Sequence, residues 1–259
     1  KLEVQFIDLT CKENLCKAIK KSTGLLWIET PSNPLLKISD IKALTSIAKE
    51  NSLKVVCDST FATPIYQKAL NLGVDIVMHS STKYISGHSD ILGGILVTHA
   101  KDDFWQSIKN VQGLAGAVPS PMDCYLLTRS IKTLPYRMKA HAFNAKKIAE
   151  FLDNHPYVEN VYYPGLSSHK GYETAQIQME GFGAMLSFII KGNANEADHL
   201  IEQLKYFSNA TSLGGVESLI ERRSKVQMGD PTIPDQLIRM SVGIENWEDL
   251  IEDLDQALE

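Results

Sequence analysis

Features that mark several common protein classes are scarce or missing in this sequence. Its 259 residues include only four cysteines, which form no CxxC pair and have no histidines at zinc-ligand spacing. We therefore expect reduced thiols that mostly pack in the interior, and no metal site. No apolar run approaches the ~20 residues that a membrane span needs, and no signal-peptide pattern is present. We expect a cytoplasmic protein without a membrane partner.

An excess of positive charge and the glycine-rich nucleotide motifs are also missing. The formal net charge is -5, so the overall field does not favour nucleic acid, and no nucleic-acid partner is expected. The sequence has neither the GKS or GKT of a P-loop nor a GxGxxG fingerprint. A hydrophobic share of 44% and a charged share of 22% are ordinary for a globular enzyme, and the length allows two domains of moderate size.

Apolar runs alternate with helical patterns in the first half of the chain. The pattern predicts helices at about residues 11–20, 39–48 and 64–72, separating strands at 4–8, 25–28, 53–57 and 76–78. Strands that alternate with helices pair in parallel through right-handed crossovers. The sequence therefore predicts an α/β fold whose sheet is mostly parallel.

The second half of the chain has a different pattern. A long amphipathic helix over 136–154 is predicted to lead out of the first domain. Beyond it, the periodicity predicts helices at 171–179, 196–204 and 247–258, and strands at 158–163, 184–190 and 237–242. We predict a large domain over 1–134 and a smaller C-terminal α+β domain over 135–259. Trp27 and Phe188 are interpreted as core residues, and His141 as a surface or interface residue.

Polar residues follow two neighbouring strands of the predicted sheet. Asp58 ends one strand, while Ser80, Thr82 and Lys83 follow the next. Because the carboxyl ends of parallel strands meet at one edge of a sheet, these groups are expected to converge. An amine, a carboxylate and hydroxyls suit a pyridoxal cofactor, which needs a Schiff base, a protonated ring nitrogen and a phosphate site. Alone, the same residues also fit a solvated lysine, a turn-capping aspartate and hydroxyls that bond loop backbone.

Five segments in this order resemble one family closely: WIETPSNPLLKI, VVCDSTFATP, DIVMHSSTKYISGHSDILGG, SLGGVESL and IRMSVGIE. They are similar to the pyridoxal-phosphate enzymes of Cys/Met metabolism, which include cystathionine γ-synthase, cystathionine γ-lyase, cystathionine β-lyase and methionine γ-lyase. The resemblance covers essentially the whole chain and implies a fold-type-I pyridoxal-phosphate transferase fold. It implies that Lys83 holds pyridoxal 5'-phosphate as a Schiff base, that Asp58 pairs with the pyridinium nitrogen, and that Ser80 and Thr82 hold the phosphate.

The resemblance also implies a substrate site and a reaction. Asn33 and Ser212 would orient the substrate and Arg239 would bind its α-carboxylate, a role that suits a guanidinium fork. Without the resemblance, Arg239 is interpreted as one half of a surface ion pair. The implied activity is transsulfuration: β- or γ-elimination or replacement on cystathionine, homoserine esters or methionine- and cysteine-like amino acids, with Lys83 moving protons. A small sulfur-containing amino acid is thus the expected partner, in a homo-oligomer built as a dimer of dimers.

Two departures from the family pattern bear on specificity. The resemblance places a further N-terminal section before the first residue of this chain, with a ring-stacking tyrosine and part of the phosphate site. Thr211 stands where enzymes that act on cystathionine commonly have a glutamate, so we place Thr211 at the substrate without assigning a substrate. The connection 221–234 is shorter than in many relatives and carries Arg222 and Arg223, which are either substrate contacts or solvated charges.

Two interpretations from other classes stay open at this point. One is a truncated, non-catalytic relative that acts as a structural or interaction partner. The other is an unrelated α/β nucleotide-binding module, although the glycine fingerprints of such modules are missing.

Overall fold

The first of two β-sheets lies in the N-terminal half of the chain. We describe the protein from a computed structural model, which covers residues 2–227 and 232–259. The strand order of this sheet is β1-β2-β3-β4. Its strands are β1 (Leu25–Glu29), β2 (Lys54–Asp58), β3 (Ile76–Ser80) and β4 (Gly94–Val97). Strands β1, β2 and β3 are parallel, and β4 runs antiparallel to β3. The predicted, mostly parallel arrangement is therefore present.

Short helices connect the parallel strands. They are α2 (Ile41–Glu50), α3 (Thr63–Tyr66) and a 3-10 turn (Ala69–Leu72), while α1 (Lys12–Ala18) precedes β1. Asp40 is the N-cap of helix α2, and its side chain accepts a hydrogen bond from the Ala43 amide. Its buried residues Ile41, Leu44 and Ala48 recur at helical spacing and pack in the same core as β1 and β2. This packing fixes where the carboxyl ends of the strands lie.

Three helices of 10 to 20 residues follow the first sheet. They are α4 (Asp103–Ala115), α5 (Pro121–Ser130) and α6 (Leu134–Asp153), with a 3-10 turn (Ile131–Thr133) between the last two. Ser120 and Asp123 form a capping box at the start of α5. Pro135 lies in the first turn of α6, where its missing amide hydrogen leaves no helical bond unmade. The long helix that the sequence predicts thus begins slightly earlier than expected.

The second sheet lies in the C-terminal half and has the order β5-β6-β9-β8-β7. Its strands are β5 (Val158–Tyr162), β6 (Met185–Ile190), β7 (Ser208–Asn209), β8 (Leu219–Arg222) and β9 (Leu237–Ser241). All pairs are antiparallel except β7 with β8. The accompanying helices are α7 (Tyr172–Gln178), α8 (Ala194–Gln203), α9 (Arg223–Val226) and α10 (Trp247–Leu258). Every residue of β6 and β9 is buried, so these strands form the centre of the sheet.

The largest apolar core surrounds the second sheet and α6. It contains Phe188 of β6, as the sequence predicts, together with Tyr84 and Ile85 from the turn after β3. The turn between β3 and β4 is therefore packed into the same core as the second sheet. The division into domains at residues 134 and 135 stays a prediction.

Several local expectations are wrong. Residues 4–8 form no strand, and Val4 and Phe6 are exposed, because the described chain gives this segment no pairing partner. Trp27 is 49% exposed, since alternate residues of β1 face away from the core that buries Leu26 and Ile28. His141 is fully buried in α6.

The cysteines also differ from expectation. All four are free thiols, but only Cys57 is buried, and burial raises the pKa of its thiol to about 12. Cys11, Cys16 and Cys124 are exposed and do not pack in the interior.

The connection 221–234 extends into residues 228–231, which lie outside the described part of the chain; its first residues form the end of β8 and all of α9. Within residues 2–227 and 232–259, no helix combines the length and the apolar composition needed to cross a bilayer.

Candidate active site

A pocket of about 380 Å³ lies between the strand ends of the first sheet and residues of the C-terminal half, namely the loop 211–213, α9 and β9. Its volume falls in the range of small-molecule sites. The pocket is lined by Glu29, Pro31, Asn33, Asp58, Thr60, Phe61, Ser80, Lys83, Thr211, Ser212, Leu213, Arg223 and Arg239. Every site residue predicted from the sequence lines it except Thr82. The fold therefore brings together predicted residues as distant in sequence as Asn33 and Arg239, which are 206 positions apart.

The first side of the pocket is formed by the ends of β2 and β3. Asp58 is the last residue of β2, and its Oδ1 accepts a hydrogen bond of 2.9 Å from the Thr60 amide. Ser80 is the last residue of β3, and its amide donates to the Thr60 hydroxyl at 2.9 Å. We call Asp58, Thr60, Ser80 and Lys83 the lysine side. The parallel register of β2 and β3 places these polar groups at one edge of the sheet.

Lys83 lies in a π-helical turn (Ser81–Ile85) directly after β3. Its φ and ψ of −91° and −132° are not helical, so the turn is interrupted where the lysine leaves it. The ammonium Nζ donates to the Ser212 hydroxyl across the pocket at 3.0 Å. Partial burial, together with the nearby charge of Arg239, lowers the pKa of Lys83 below its ordinary value. The side chain is therefore closer to the neutral, nucleophilic amine than a surface lysine would be.

Arg137 of α6 holds the turn that carries Lys83. Its guanidinium is buried and donates to the carbonyls of Tyr84 at 2.7 Å and of Ile85 at 3.2 Å. It also donates to the Ser130 carbonyl at 3.1 Å. The bonds to Tyr84 and Ile85 provide partners for carbonyls of the turn, and the bond to Ser130 ties the turn to the end of α5. The sequence analysis missed Arg137, since nothing local distinguishes it from other helix arginines.

A glycine allows the two halves of the site to approach. Gly214 has φ +76°, and a Cβ added to it would lie 2.6 Å from the Tyr84 amide nitrogen. Both the backbone conformation and the space therefore exclude a side chain here. The contact brings the loop that carries Thr211 and Ser212 against the residue that follows Lys83.

The second side of the pocket is organised around Arg239 in the centre of β9. Its side chain is only 4% exposed and donates to Asn33 Oδ1 at 3.1 Å and to the Ser212 carbonyl at 2.9 Å. Burial lowers the pKa of Arg239 to about 10, which leaves the guanidinium charged at neutral pH. We call Thr211, Ser212, Glu221, Arg223 and Arg239 the arginine side.

Two charged residues on this side were missed or left open by the sequence analysis. Glu221 of β8 lies directly opposite Arg239 of β9, and the two form a buried salt bridge of 2.5 Å. Arg223 contacts the same carboxylate oxygen at 2.9 Å and faces the pocket, with its side chain 15% exposed. Of the two open arginines, Arg223 therefore belongs to the site. Arg222 instead pairs with Asp198 at 2.8 Å, outside the pocket.

Glu29 is a further acidic residue of the pocket that the sequence analysis did not single out. It is the last residue of β1, and its Oε1 accepts a 2.8 Å hydrogen bond from the Asn33 amide. Burial, and to a smaller extent the charge of Asp58, raise the pKa of Glu29 above its ordinary value. Its position at a strand end is the signal that would have found it, as it found Asp58.

Thr82 lies apart from the other predicted residues. Its hydroxyl accepts from the Gly93 amide at 2.9 Å and donates to the Gly93 carbonyl at 3.3 Å. It links the turn after β3 to the start of β4 and does not line the pocket. In the described residues, no group of three or more His, Cys, Asp and Glu side chains is arranged to hold a metal ion.

The fold and the pocket define an α/β enzyme site in which a lysine amine and a carboxylate come from neighbouring strand ends, opposite a buried arginine. Such a set of groups suits a pyridoxal cofactor and an amino acid. The sequence profile of the Cys/Met metabolism PLP-dependent enzymes matches residues 1–259, and this chain belongs to that family. Its cofactor is therefore pyridoxal 5'-phosphate, as the resemblance implied.

Individual relatives agree with this assignment. The chain is 46% identical over 269 residues to cystathionine gamma-lyase of Dictyostelium discoideum, with 100% of this chain and 68% of the relative covered. It is 50% identical over 246 residues to cystathionine gamma-synthase of Mycobacterium leprae (strain TN), covering 93% and 63%. It is 45% identical over 267 residues to L-methionine gamma-lyase of Fusobacterium nucleatum subsp. nucleatum, covering 100% and 68%. The chain thus spans about two thirds of the length of these relatives.

A solved structure supports the fold. The crystal structure of metB from Corynebacterium glutamicum superimposes with a TM-score of 0.94 at 44% sequence identity, covering 97% of this chain and 66% of that one. The predicted fold-type-I α/β architecture is therefore confirmed.

Proposed function

We propose that the protein catalyses β- or γ-elimination or replacement on a small amino acid with a sulfur or acylated-oxygen leaving group. Cystathionine, homoserine esters, methionine and cysteine are the compounds to test. The observation that carries this proposal is the position of Lys83, whose Nζ enters a pocket shared with Asp58 and Arg239. The names of the relatives, which mention cystathionine and methionine, support sulfur-containing amino acids as the compounds to test first.

The residues of the lysine side fit the cofactor of the family. The Asp58 carboxylate accepts one backbone hydrogen bond and has further acceptor capacity for a protonated ring nitrogen. Lys83 has the lowered pKa that Schiff-base formation with an aldehyde requires. The Ser80 side chain lines the pocket and is a candidate phosphate ligand. We propose Thr82 as a second phosphate ligand because of its place in the family pattern. The geometry adds no support, since the Thr82 hydroxyl is bonded to the backbone of Gly93.

Each residue then has a separate task. When bound, pyridoxal phosphate supplies an electron-withdrawing ring that stabilises negative charge on the substrate. The Lys83 amine takes a proton from the substrate Cα and returns one at a later step, because it is the basic group that enters the pocket. The Asp58 carboxylate would accept a hydrogen bond from the protonated ring nitrogen. Ser212 holds the lysine amine in place through the 3.0 Å hydrogen bond.

The arginine side would bind the other end of the amino acid. A guanidinium fork suits an α-carboxylate, and Asn33 and the Ser212 carbonyl hold Arg239 in one orientation. Thr211 is exposed beside this site and offers a neutral hydroxyl to the substrate side chain. A neutral group cannot pair with a distal ammonium as a carboxylate does, so we propose that cystathionine is not preferred over smaller substrates.

Assembly and location are parts of the same proposal. We propose a homo-oligomer, a dimer of dimers, in the cytoplasm. Light scattering of the purified protein and fractionation of the source cells would test the two statements.

The experiment that tests the proposed function compares wild-type protein with Lys83→Ala after incubation with pyridoxal phosphate. We expect a visible absorption band in the wild type that borohydride abolishes, and turnover of at least one of the compounds named above. Lys83→Ala should lose the band, and its turnover should fall by more than about 10³-fold, since the same amine would hold the cofactor and would move the protons.

Lys146→Ala is the matched control. Lys146 is an exposed lysine of α6 whose only ion pair in the described structure, with Glu150, is 3.7 Å long. We expect this variant to keep both the band and the activity. A wild type without a band, or an active Lys83→Ala variant, would contradict the proposal. Such a result would favour the non-catalytic alternative, for which the geometry offers no support.

A further inference from the structure

Three charged side chains on the arginine side form one cluster. Arg239 and Arg223 both donate to Oε1 of Glu221, at 2.5 and 2.9 Å. The side chains of Arg239 and Glu221 are each only 4% exposed, and that of Arg223 is 15% exposed. Two guanidinium groups and one carboxylate leave one positive charge uncompensated in a largely dehydrated place. Burial of such a charge is unfavourable unless an anion is present to balance it.

The hydrogen bonds within this cluster of three side chains are incomplete. Among the described residues, Arg223 Nε and Glu221 Oε2 are buried without a hydrogen-bond partner. The bond from Arg223 to the Gln227 side chain is long at 3.4 Å. Arg223 is therefore held mainly by Glu221, and its charge is directed at that carboxylate.

We propose that Arg223 is a positioning residue of the substrate site, which neutralises Glu221 so that Arg239 keeps a net positive charge for the substrate carboxylate. This inference rests on the proposed role of Arg239 of β9 in binding the substrate carboxylate. It adds Arg223, which lies in α9, to the residues that support this role. Without Arg223, the Arg239–Glu221 pair would be neutral, and Arg239 would attract a carboxylate weakly. With Arg223, the cluster and one bound carboxylate together have no net charge.

The local sequence agrees with a role for this one arginine. Arg222, its neighbour, is bonded to Asp198 at 2.8 and 3.1 Å, and Lys225 contacts the same aspartate at 2.9 Å. These two cations are thus paired away from the pocket. The other titratable residues that line the pocket, Glu29, Asp58 and Lys83, are not substituted in any variant proposed below. Because burial raises the pKa of Glu29 and the charge of Arg223 opposes that rise, binding is compared at one pH for all variants.

The experiment measures binding of hexanoate, a carboxylate without an amino group, by ligand-observed NMR on the cofactor-loaded protein. This readout needs no turnover. Arg223→Gln should weaken hexanoate binding by about tenfold and raise KM for amino acid substrates by a similar factor, with a smaller change in kcat. Arg223→Lys keeps the charge and should bind hexanoate within about threefold of the wild type.

The double variant Glu221→Gln/Arg223→Gln separates charge from structure. It removes one negative and one positive charge, so the cluster regains its single positive charge, while the amide oxygen introduced at position 221 still accepts from Arg239. We expect hexanoate binding to recover to within about threefold of the wild type. Lys225→Gln, which removes an exposed positive charge two residues away, should leave binding unchanged.

Two results would overturn the inference. One is Arg223→Gln binding hexanoate as tightly as the wild type, and the other is a double variant as weak as Arg223→Gln alone. A thermal melt of each variant ensures that folded proteins are compared. Failure of the proposed function would look different: the wild type would have no borohydride-sensitive band, whatever the pattern of hexanoate binding.

Discussion

The two sides of the pocket differ in how completely their charges are paired. On the lysine side, Asp58 accepts a single backbone hydrogen bond, and Lys83 donates only to a hydroxyl among the bonds described. On the arginine side, Arg239 has three acceptors in Asn33, Ser212 and Glu221, and it is almost completely buried. The lysine side therefore keeps its charged groups available, and the arginine side holds its groups in fixed positions.

This difference indicates that the lysine side carries out the chemistry and that the arginine side binds the substrate. A nucleophile and proton carrier needs an unpaired amine with a lowered pKa, and tight ion pairing would remove both properties. A carboxylate-binding group gains instead from a fixed orientation, because less side-chain entropy is then lost when the ligand binds. Changes on the lysine side should thus alter kcat, and changes on the arginine side should alter KM.

The largest effect in this comparison is expected from Asp58→Asn. The amide has nearly the same shape but lacks the charge that favours a protonated ring nitrogen. We expect kcat to fall by about 10²–10³-fold with KM nearly unchanged, as for loss of one preorganised charge. Steady-state kinetics with the best substrate provide the measurement, and an equal rise in KM would break the proposed separation.

A smaller effect is expected from Arg239→Gln. The loss of the guanidinium should raise KM by about 10-fold or more, with a lesser fall in kcat. The variant also removes a positive charge that lowers the pKa of Lys83, so that pKa should rise towards its ordinary value. The pH dependence of the Lys83 reaction with an aldehyde, trapped by borohydride, should therefore shift to higher pH. A shift to lower pH would contradict the electrostatic coupling of the two sides.

The last prediction concerns stability and leaves catalysis aside, and its subject is His141 of α6, which contacts elements on both sides of the pocket. Its Nδ1 donates to the Val242 carbonyl after β9 at 2.7 Å, and its ring packs edge-on against Tyr84, next to Lys83. Burial lowers the pKa of His141 to about 4. The unfolded chain therefore takes up a proton near pH 6.5 that the folded protein does not bind until about pH 4. Stability that is present above pH 6.5 is lost as the pH falls through this window.

His141→Asn should remove this pH dependence while keeping a donor for the carbonyl. Between pH 7 and pH 5, the wild type should lose about 2 kcal/mol more unfolding free energy than the variant, measured by urea denaturation. His99→Asn is the control, since His99 is exposed, and it should behave as the wild type. If the unfolding free energy of His141→Asn falls between pH 7 and pH 5 by as much as that of the wild type, then His141 does not contribute to the acid sensitivity of the protein.

The lysine side could be predicted from the sequence because its residues are identified by their immediate sequence neighbours. Asp58 and Lys83 follow apolar runs, and parallel strands place such residues at one edge without knowledge of the rest of the fold. The arginine side depends on antiparallel pairing of β8 with β9, which sets Glu221 opposite Arg239. No local pattern contains that register, so Arg239 was found only through the family resemblance and Glu221 was missed.

The errors in the fold have the same origin. Periodicity identifies a strand or helix but not which of its faces another element covers. Trp27 belongs to an apolar run, which favours the interior, yet it lies on the outer face of β1. His141 is polar, which favours the surface, yet α6 packs against the end of β9 on that face. The hydrogen bond from His141 to the Val242 carbonyl explains why this polar residue is buried, but the sequence alone does not reveal the partner.

The central claim is that the chemistry of this protein starts at the amine of Lys83. Borohydride reduction of the protein loaded with pyridoxal phosphate, followed by digestion and mass spectrometry, tests it most directly. We predict that the reduced cofactor is attached to the peptide containing Lys83 and that excess hexanoate leaves the site of attachment unchanged. Attachment to another lysine, or no attached cofactor, would contradict the account.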